Sequence, residues 1–259
     1  MNDYPFTTPP VFYDIGCRSG IEKVWKGLID SDKVIAYGFD PDTEHCKKLS
    51  NADKKSNFIP LALSNYTGTS DFYITKNKGC CSCKEPRIDF LQKYPYSVGS
   101  FYVEEKTNIQ VTTLNKLISE NKIKPPNYIK IDVQGLEYEV LEGCNQYLDQ
   151  VYGIKLETHF TPIYKGEKSF FEIHDLLVNK YGFMLRQLNN ISYYDGDQLE
   201  YDAFFTRGPL QPNDLYLRDM FFGKIYNLDP PRIACMSRAH RNNDTIKDKE
   251  FYKKYGYYQ

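Results

Sequence analysis

Tyr128-Ile129-Lys130-Ile131-Asp132-Val133-Gln134-Gly135-Leu136-Glu137 is the stretch on which the fold turns. Side chains alternate across a strand, so Ile129, Ile131 and Val133 share one face and Lys130 and Asp132 the other. Two charges in a central strand are costly unless they pair with each other or reach a ligand crevice. Asp132 falls at the carboxyl end of the strand, where open α/β sheets bind their ligands. Gly135 permits a sharp exit into a helix carrying Glu137, Val140 and Leu141.

The same strand–turn–helix rhythm runs outward in both directions. Upstream, Val11-Phe12-Tyr13-Asp14-Ile15 predicts a buried strand closed by Gly16 and Gly20. A helix over 21–30, a strand over 34–39, a helix over 42–53 and a strand over 58–61 follow. Downstream of a helix at 113–121 come strand 128–133, helix 137–147, strand 153–158 and helix 169–181. Strands 183–188 and 203–207 close the series as an antiparallel edge pair. Continuously apolar strands alternating with helices indicate an α/β fold, a parallel sheet covered on both faces. The middle, 63–111, departs from this rhythm, with a hairpin expected from Ser70 to Thr75 and a Cys-rich loop at 79–83. A domain over 1–208 and a C-terminal helical or irregular extension over 209–259 are expected.

Composition narrows the function classes. Lys and Arg total 33 against 34 Asp and Glu, a net charge of −1 that argues against bulk nucleic-acid binding. No run approaches the 18 or so apolar residues of a transmembrane helix. Met1-Asn2-Asp3-Tyr4-Pro5 has neither a basic start nor an apolar core, so no secretory signal is expected. The seven Cys lack framework spacing and read as reduced thiols of a cytoplasmic protein. The unusual feature is 23 Tyr and 16 Phe against one Trp.

Asp14-Ile15-Gly16-Cys17-Arg18-Ser19-Gly20 links the first strand to the first helix. It contains neither G-x-G-x-x-G nor a P-loop, and an acid before the first glycine would repel a pyrophosphate. That acid suits a cationic amino-acid portion instead. Asp40, about twenty residues on at the end of the second strand, stands where a carboxylate accepts from a ribose diol. Together, D-x-G-x-x-x-G and the second acid look like the S-adenosylmethionine site of class I methyltransferases. The structural alternative is that the glycines shape a turn and Asp40 caps the next helix.

Over residues 11–207 the chain resembles the FkbM family of S-adenosylmethionine-dependent methyltransferases. The resemblance rests on Phe12-Tyr13-Asp14-Ile15-Gly16 with Gly20, on Gly38-Phe39-Asp40-Pro41 and on Leu61-Ala62-Leu63-Ser64. It rests most on Ile129 to Gly143, with support from Thr112-Thr113-Leu114, Leu156-Glu157, Pro162-Ile163-Tyr164 and Tyr201 to Arg207. Two departures stand out: Cys17-Arg18 where the family commonly has Ala-Asn, and Asp40-Pro41 where it commonly has Glu-Pro, a swap that keeps the carboxylate. The resemblance implies a Rossmann-like, doubly wound, mostly parallel seven-stranded sheet with an antiparallel edge strand and a C-terminal appendage. It implies S-adenosyl-L-methionine as cofactor, held by Asp14, Gly16, Cys17, Gly20, Phe39, Asp40, Ala62, Leu63, Ser64 and Asp132. It further implies O-methylation of a sugar, glycan or small-metabolite hydroxyl.

An alcohol is a poor nucleophile at neutral pH, so a base or a divalent metal should assist. Asp132 is the first candidate, as base or metal ligand, with Lys130 holding it ionised or orienting the acceptor; a buried salt bridge that only positions the strand is the alternative. Lys155, Glu157 and His159 share a face of the next strand, and His159 suits a general base because imidazole titrates near neutrality. Asp132, Glu157 and His159 are a candidate metal set, although no tight metal motif accompanies them; equally, Glu157 fixes a loop that His159 caps. His45, His174 and His240 read as surface or helix residues. Cys80-Cys81-Ser82-Cys83 lacks a second Cys/His pair at zinc spacing. The Tyr94–Val103 loop and the Tyr252–Tyr258 tail suit stacking on sugars or bases, an anionic carrier or contacts between copies through the extension; the alternative is a compositional bias. The competing classes are an RNA or protein methyltransferase and a silent ligand-binding relative. Neutral charge and the absence of an Asn/Asp-Pro-Pro-Tyr/Phe motif weigh against the first, and the presence of Asp14, Asp40 and Asp132 against the second.

Overall fold

The computed structural model describes residues 6, 8–207 and 222–228. Its strands are β1 (Val11–Ile15), β2 (Ile35–Phe39), β3 (Asn57–Ile59), β4 (Ala62–Leu63), β5 (Gly68–Thr75), β6 (Val103–Thr112), β7 (Tyr128–Ile131), β8 (Gly153–His159), β9 (Phe183–Tyr194) and β10 (Asp197–Arg207). The helices used below are α1 (Lys26–Asp30), α2 (Thr43–Ala52), α3 (Ile88–Leu91), α4 (Leu114–Ser119), α5 (Glu137–Cys144), α6 (Phe170–Asp175) and α7 (Gly223–Ile225).

Seven strands form the expected sheet in the order β3-β2-β1-β7-β8-β10-β9. The first five are parallel; β10 runs against β8, and β9 against β10, so the late pair makes the antiparallel edge. β9 and β10 are longer than their sequence signal and meet at Asp195-Gly196, both at positive φ (49° and 106°), the conformation that tight hairpins require. The order reverses between β1 and β7, which opens a crevice at their carboxyl ends.

One face carries Tyr13, Ile15, Ile129, Ile131 and Leu156 beneath α4, α5 and α6. The other carries Phe12, Ala36, Tyr128 and Phe204 beneath Trp25 and Ile29. Phe12 stacks on Trp25 with centroids 4.1 Å apart, and Phe222 lies flat on Tyr128 at 5.8 Å. Residues 222–228 therefore pack on the main sheet. The rest of the expected extension, and the contacts between copies assigned to it, lie outside the described residues.

Several boundaries differ from expectation. The helix expected over 21–30 is a 3-10 turn, Lys23–Trp25, leading into the short α1. α5 stops at Cys144 because Asn145 takes φ +49°, and a 3-10 segment Asn145–Gln150 continues it. The hairpin expected at 70–75 is instead the strand β5, which pairs with the distant β6; with β4 they form a second, three-stranded sheet. Local alternation marks a strand but not its partner. Among the described residues, no helix is long and apolar enough to cross a membrane.

α5 packs on β4 at Gly143, where a Cβ would lie 2.1 Å from the Ser64 carbonyl oxygen. Alanine normally favours a helix over glycine by about 1 kcal/mol, whereas overpacking costs about 1–3 kcal/mol. Overpacking should win at this contact, because the obstacle is backbone. Gly143→Ala is expected to lower the melting temperature, and a thermal melt at or above wild type would contradict this packing.

Candidate active site

Backbone contacts draw three strand ends together. The N–H groups of Gly16 and Cys17 donate to the Phe39 carbonyl (2.9 and 3.1 Å), and Asp132 N–H donates to the Ile15 carbonyl (2.9 Å). Gly16 sits at φ +85°, and a Cβ there would lie 1.7 Å from the Asp132 carbonyl oxygen. Only glycine fits between these strands.

Lys130 occupies the centre of this junction. Its Nζ lies 3.2 Å from Asp14 Oδ1 and 3.2 Å from Asp132 Oδ2, and it donates to the Gly16 carbonyl at 3.3 Å. Burial opposes a charge on Lys130, but Asp14, Asp132 and Glu22 outweigh it and hold the ammonium ionised. Asp14 is 1% exposed, and its Oδ2 accepts from Glu22 N–H at 2.7 Å. Its carboxylate therefore serves the junction from within the wall.

A cavity of about 720 Å³ opens beyond these strand ends. Asp14, Gly16 and Gly20 line it from the first turn, Phe39 and Asp40 from the end of β2, and Ala62 and Leu63 from β4. Lys130, Asp132 and Glu157 line it from β7 and β8. Phe72, Ile74, Thr107 and Ile109 of the second sheet form the facing wall. Asp40 Oδ1 accepts from Asp42 N–H, and the cap of α2 is Asp42, whose Oδ1 accepts from His45 N–H at 2.9 Å. Asp40 is thus not the helix cap.

Cys17, Ser64 and His159 do not line this cavity. The Cys17 thiol is buried against Gly38, and burial pushes its pKa up, away from reactivity. Ser64 is buried, with its N–H donating to the Thr112 carbonyl and its own carbonyl facing α5.

Gln134 was not a candidate from sequence, yet it joins the two acids. Its Nε2 donates to Asp132 Oδ1 (3.0 Å) and Glu157 Oε1 (2.7 Å), and its Oε1 accepts from Tyr164 O–H (2.9 Å). It adopts φ +57°, a conformation that residue type does not reveal outside Gly and Asn. Ser82, in the Cys-rich loop, holds the same turn by donating to the Gln134 carbonyl at 2.6 Å. Burial pushes the Glu157 carboxyl well above the usual carboxylate range, and Asp132 and Glu200 add to the effect.

His159 is engaged by two other acids. Its Nδ1 lies 2.6 Å from Glu167 Oε1, and its Nε2 lies 3.5 Å from Glu200 Oε2. The expected grouping of Asp132, Glu157 and His159 is replaced by Glu157, His159 and Glu200, which offer donor atoms within 4.8 Å of one another. Glu200 is opposite His159 in the β10–β8 register, a pairing that only the antiparallel edge creates.

The cavity suits the cofactor implied by the sequence. Its volume accommodates a nucleoside of that size, Asp40 offers a carboxylate to a ribose diol, and the apolar Phe39, Leu61 and Leu63 offer a surface to a base. A Rossmann-like sheet with such a crevice has the architecture of the class I S-adenosylmethionine-dependent methyltransferases.

The family comparison agrees. Residues 14–185 match the model of the methyltransferase FkbM domain, and the chain belongs to this family. The 2-O-methyltransferase NoeI of Sinorhizobium fredii is 25% identical over 175 residues, covering 65% of this chain and 71% of NoeI. The hexuronic acid methyltransferase AglP of Haloferax volcanii is 24% identical over 153 residues, covering 58% of this chain and only 56% of AglP. Among solved structures, M. capricolum TrmK with S-adenosylhomocysteine is 11% identical with a TM-score of 0.41, over 99% of this chain and 93% of its own. The 1,6-didemethyltoxoflavin-N1-methyltransferase of Burkholderia thailandensis is 8% identical with a TM-score of 0.39, over 78% and 72%.

Glu137, fully buried at the start of α5, accepts from Val133 N–H (2.9 Å) and Gly135 N–H (3.2 Å) and so shapes the turn that carries Gln134. Burial, aided by Glu167, pushes its pKa from 4.5 to about 7. Between those values the folded chain keeps a proton that the unfolded chain has lost, so this group's contribution to stability falls as pH rises. Denaturant titrations across that window should show Glu137→Gln gaining on wild type, by at most about 1.4 kcal/mol per pH unit. A stability difference independent of pH would refute the assignment.

Proposed function

We propose that this methyltransferase transfers the methyl group to a hydroxyl of a sugar or glycan, with Asp132 as the base. The observation that carries the reading is the placement of Asp132: at the end of β7, its side chain 34% exposed, in the wall of the cavity that suits the cofactor. NoeI and AglP, named for 2-O- and hexuronic acid methylation, support an oxygen nucleophile on a sugar. When bound, S-adenosylmethionine supplies an electrophilic methyl carbon, so the protein's task is to align and deprotonate the acceptor.

Asp132 is equipped for that task. Lys130 on Oδ2 and the Gln134 amide on Oδ1 fix the carboxylate plane. As the methyl carbon would exchange its bond to sulfur for one to the hydroxyl oxygen, releasing S-adenosylhomocysteine, Asp132 would take the hydroxyl proton and become a neutral carboxylic acid beside Lys130. Phe72, Ile74 and Ile109 line the facing wall and offer apolar surface to the acceptor. The thiols show no disulfide among the described residues, and cytoplasmic action on an intracellular sugar intermediate accords with this.

The test uses labelled cofactor and a panel of sugars, uronic acids and sugar nucleotides. Asp132→Asn should bind S-adenosylmethionine within a few-fold of wild type by calorimetry while kcat falls by about 10²–10⁴. Unchanged turnover in that variant would remove Asp132 as base. Transfer to nitrogen or to RNA, with none to hydroxyls, would remove the sugar reading.

A further inference from the structure

We propose that Glu157, His159 and Glu200 form a binding site for one divalent transition-metal ion beside the cofactor cavity. One donor atom from each lies within 4.8 Å of the others. Ligand bonds of roughly 2.0–2.2 Å require donors about 3 Å apart, a contraction within reach of small side-chain rotations.

The independent observation is the histidine. His159 is 1% exposed, and its Nε2 makes no hydrogen bond among the described residues; 3.5 Å to Glu200 Oε2 is too long for a good one. A buried imidazole nitrogen whose nearest acceptor stands off at 3.5 Å is uncommon and calls for an explanation. Its surroundings supply one. Glu167 accepts from the N–H groups of Ile163 (2.8 Å) and Tyr164 (3.0 Å), which fixes it as an acceptor for Nδ1–H. With Nδ1 turned to Glu167, Nε2 is the ring nitrogen that faces the two carboxylates, where a cation would take the place of a proton. A carboxylate that orients a histidine in this way is the usual outer support of a metal ligand.

The carboxylates are held too. Gln134 donates to Glu157, and Tyr194 O–H donates to Glu200 Oε2 at 2.9 Å. Glu157 also lines the cavity, which gives the cluster an outlet to solvent. One imidazole with two carboxylates suits Mn²⁺ or Zn²⁺, whereas Mg²⁺ and Ca²⁺ prefer oxygen ligands alone. A cation there would lie at the edge of the acceptor space and draw a hydroxyl oxygen toward Asp132. That role rests on the sugar-hydroxyl reading; the existence of the site does not.

The experiment therefore uses the full chain without cofactor or acceptor. After chelation and dialysis, titration with Mn²⁺ should show one equivalent bound, and the spin-echo spectrum should carry the ¹⁴N modulation of a coordinated imidazole. Glu200→Gln and His159→Gln should weaken binding at least tenfold, and Glu167→Gln by about 10–100-fold, with circular dichroism confirming the fold. Asp132→Asn, which removes no donor atom of the set, should weaken binding less than Glu200→Gln does. No binding by wild type, or binding without nitrogen modulation, would overturn the proposal whether or not the variants fold. So would binding lost in Asp132→Asn and kept in Glu200→Gln.

Discussion

A single buried ammonium organises the catalytic end of the sheet. Lys130 reaches Asp14 on the neighbouring strand, Asp132 two residues along its own, and the carbonyl of Gly16 in the first turn. Without it, two carboxylates would face each other at low dielectric, and removing one partner of such a cluster leaves an uncompensated charge. With it, the ends of β1 and β7 are tied at the point where the strand order reverses. Glycine at position 16 is the steric counterpart, since the two backbones close to a distance that no Cβ allows.

This junction was legible in the sequence because it is local and periodic. Alternation placed Lys130 and Asp132 on one face, and Asp14 ended an adjacent apolar strand. The acids and glycines of the crevice were legible for the same reason. What could not be read depends on register or on unusual backbone. Glu200 meets His159 only through the antiparallel pairing of β10 with β8, and β5 finds β6 only across an intervening loop. Gln134 reaches both acids from a left-handed conformation that a glutamine seldom adopts. Cys17 and Ser64 followed the motif in sequence but are buried outside the cavity lining.

The aromatic surplus has largely structural employment among the described residues. Tyr94, Phe101, Tyr164 and Tyr194 pack in one cluster beneath the loop that was a candidate acceptor platform. Tyr164 also holds Gln134, and Tyr194 holds Glu200, so their rings fill space while their hydroxyls set polar groups. On the far face, Tyr226 accepts from Trp25 Nε1 at 2.8 Å and donates to Glu22, whose own N–H binds Asp14. The segment 222–228 thereby connects to the first turn of the cofactor crevice through two hydrogen bonds. Tyr96, at 94% exposed, and Tyr102, at 49%, are the rings of the 94–103 loop that remain open to solvent.

The charge of the cavity explains why a phosphate-binding motif would be out of place here. Six carboxylates, those of Asp14, Glu22, Asp40, Asp42, Asp132 and Glu157, face three cations, Arg18, Lys78 and Lys130. Each of those cations already has an acidic neighbour: Arg18 approaches Asp42 at 3.9 Å, Lys78 meets Glu104 at 2.7 Å, and Lys130 is shared as described. The wall is therefore formally negative, and low-dielectric surroundings strengthen its field. Such a wall disfavours phosphates and favours a ligand that carries a sulfonium and an ammonium group. It also gives a departing hydroxyl proton somewhere to go, since protonating one acid of a crowded set relieves repulsion among the rest. The acidic crowding that costs folding energy is the same property that makes the site a receiver of cations and protons.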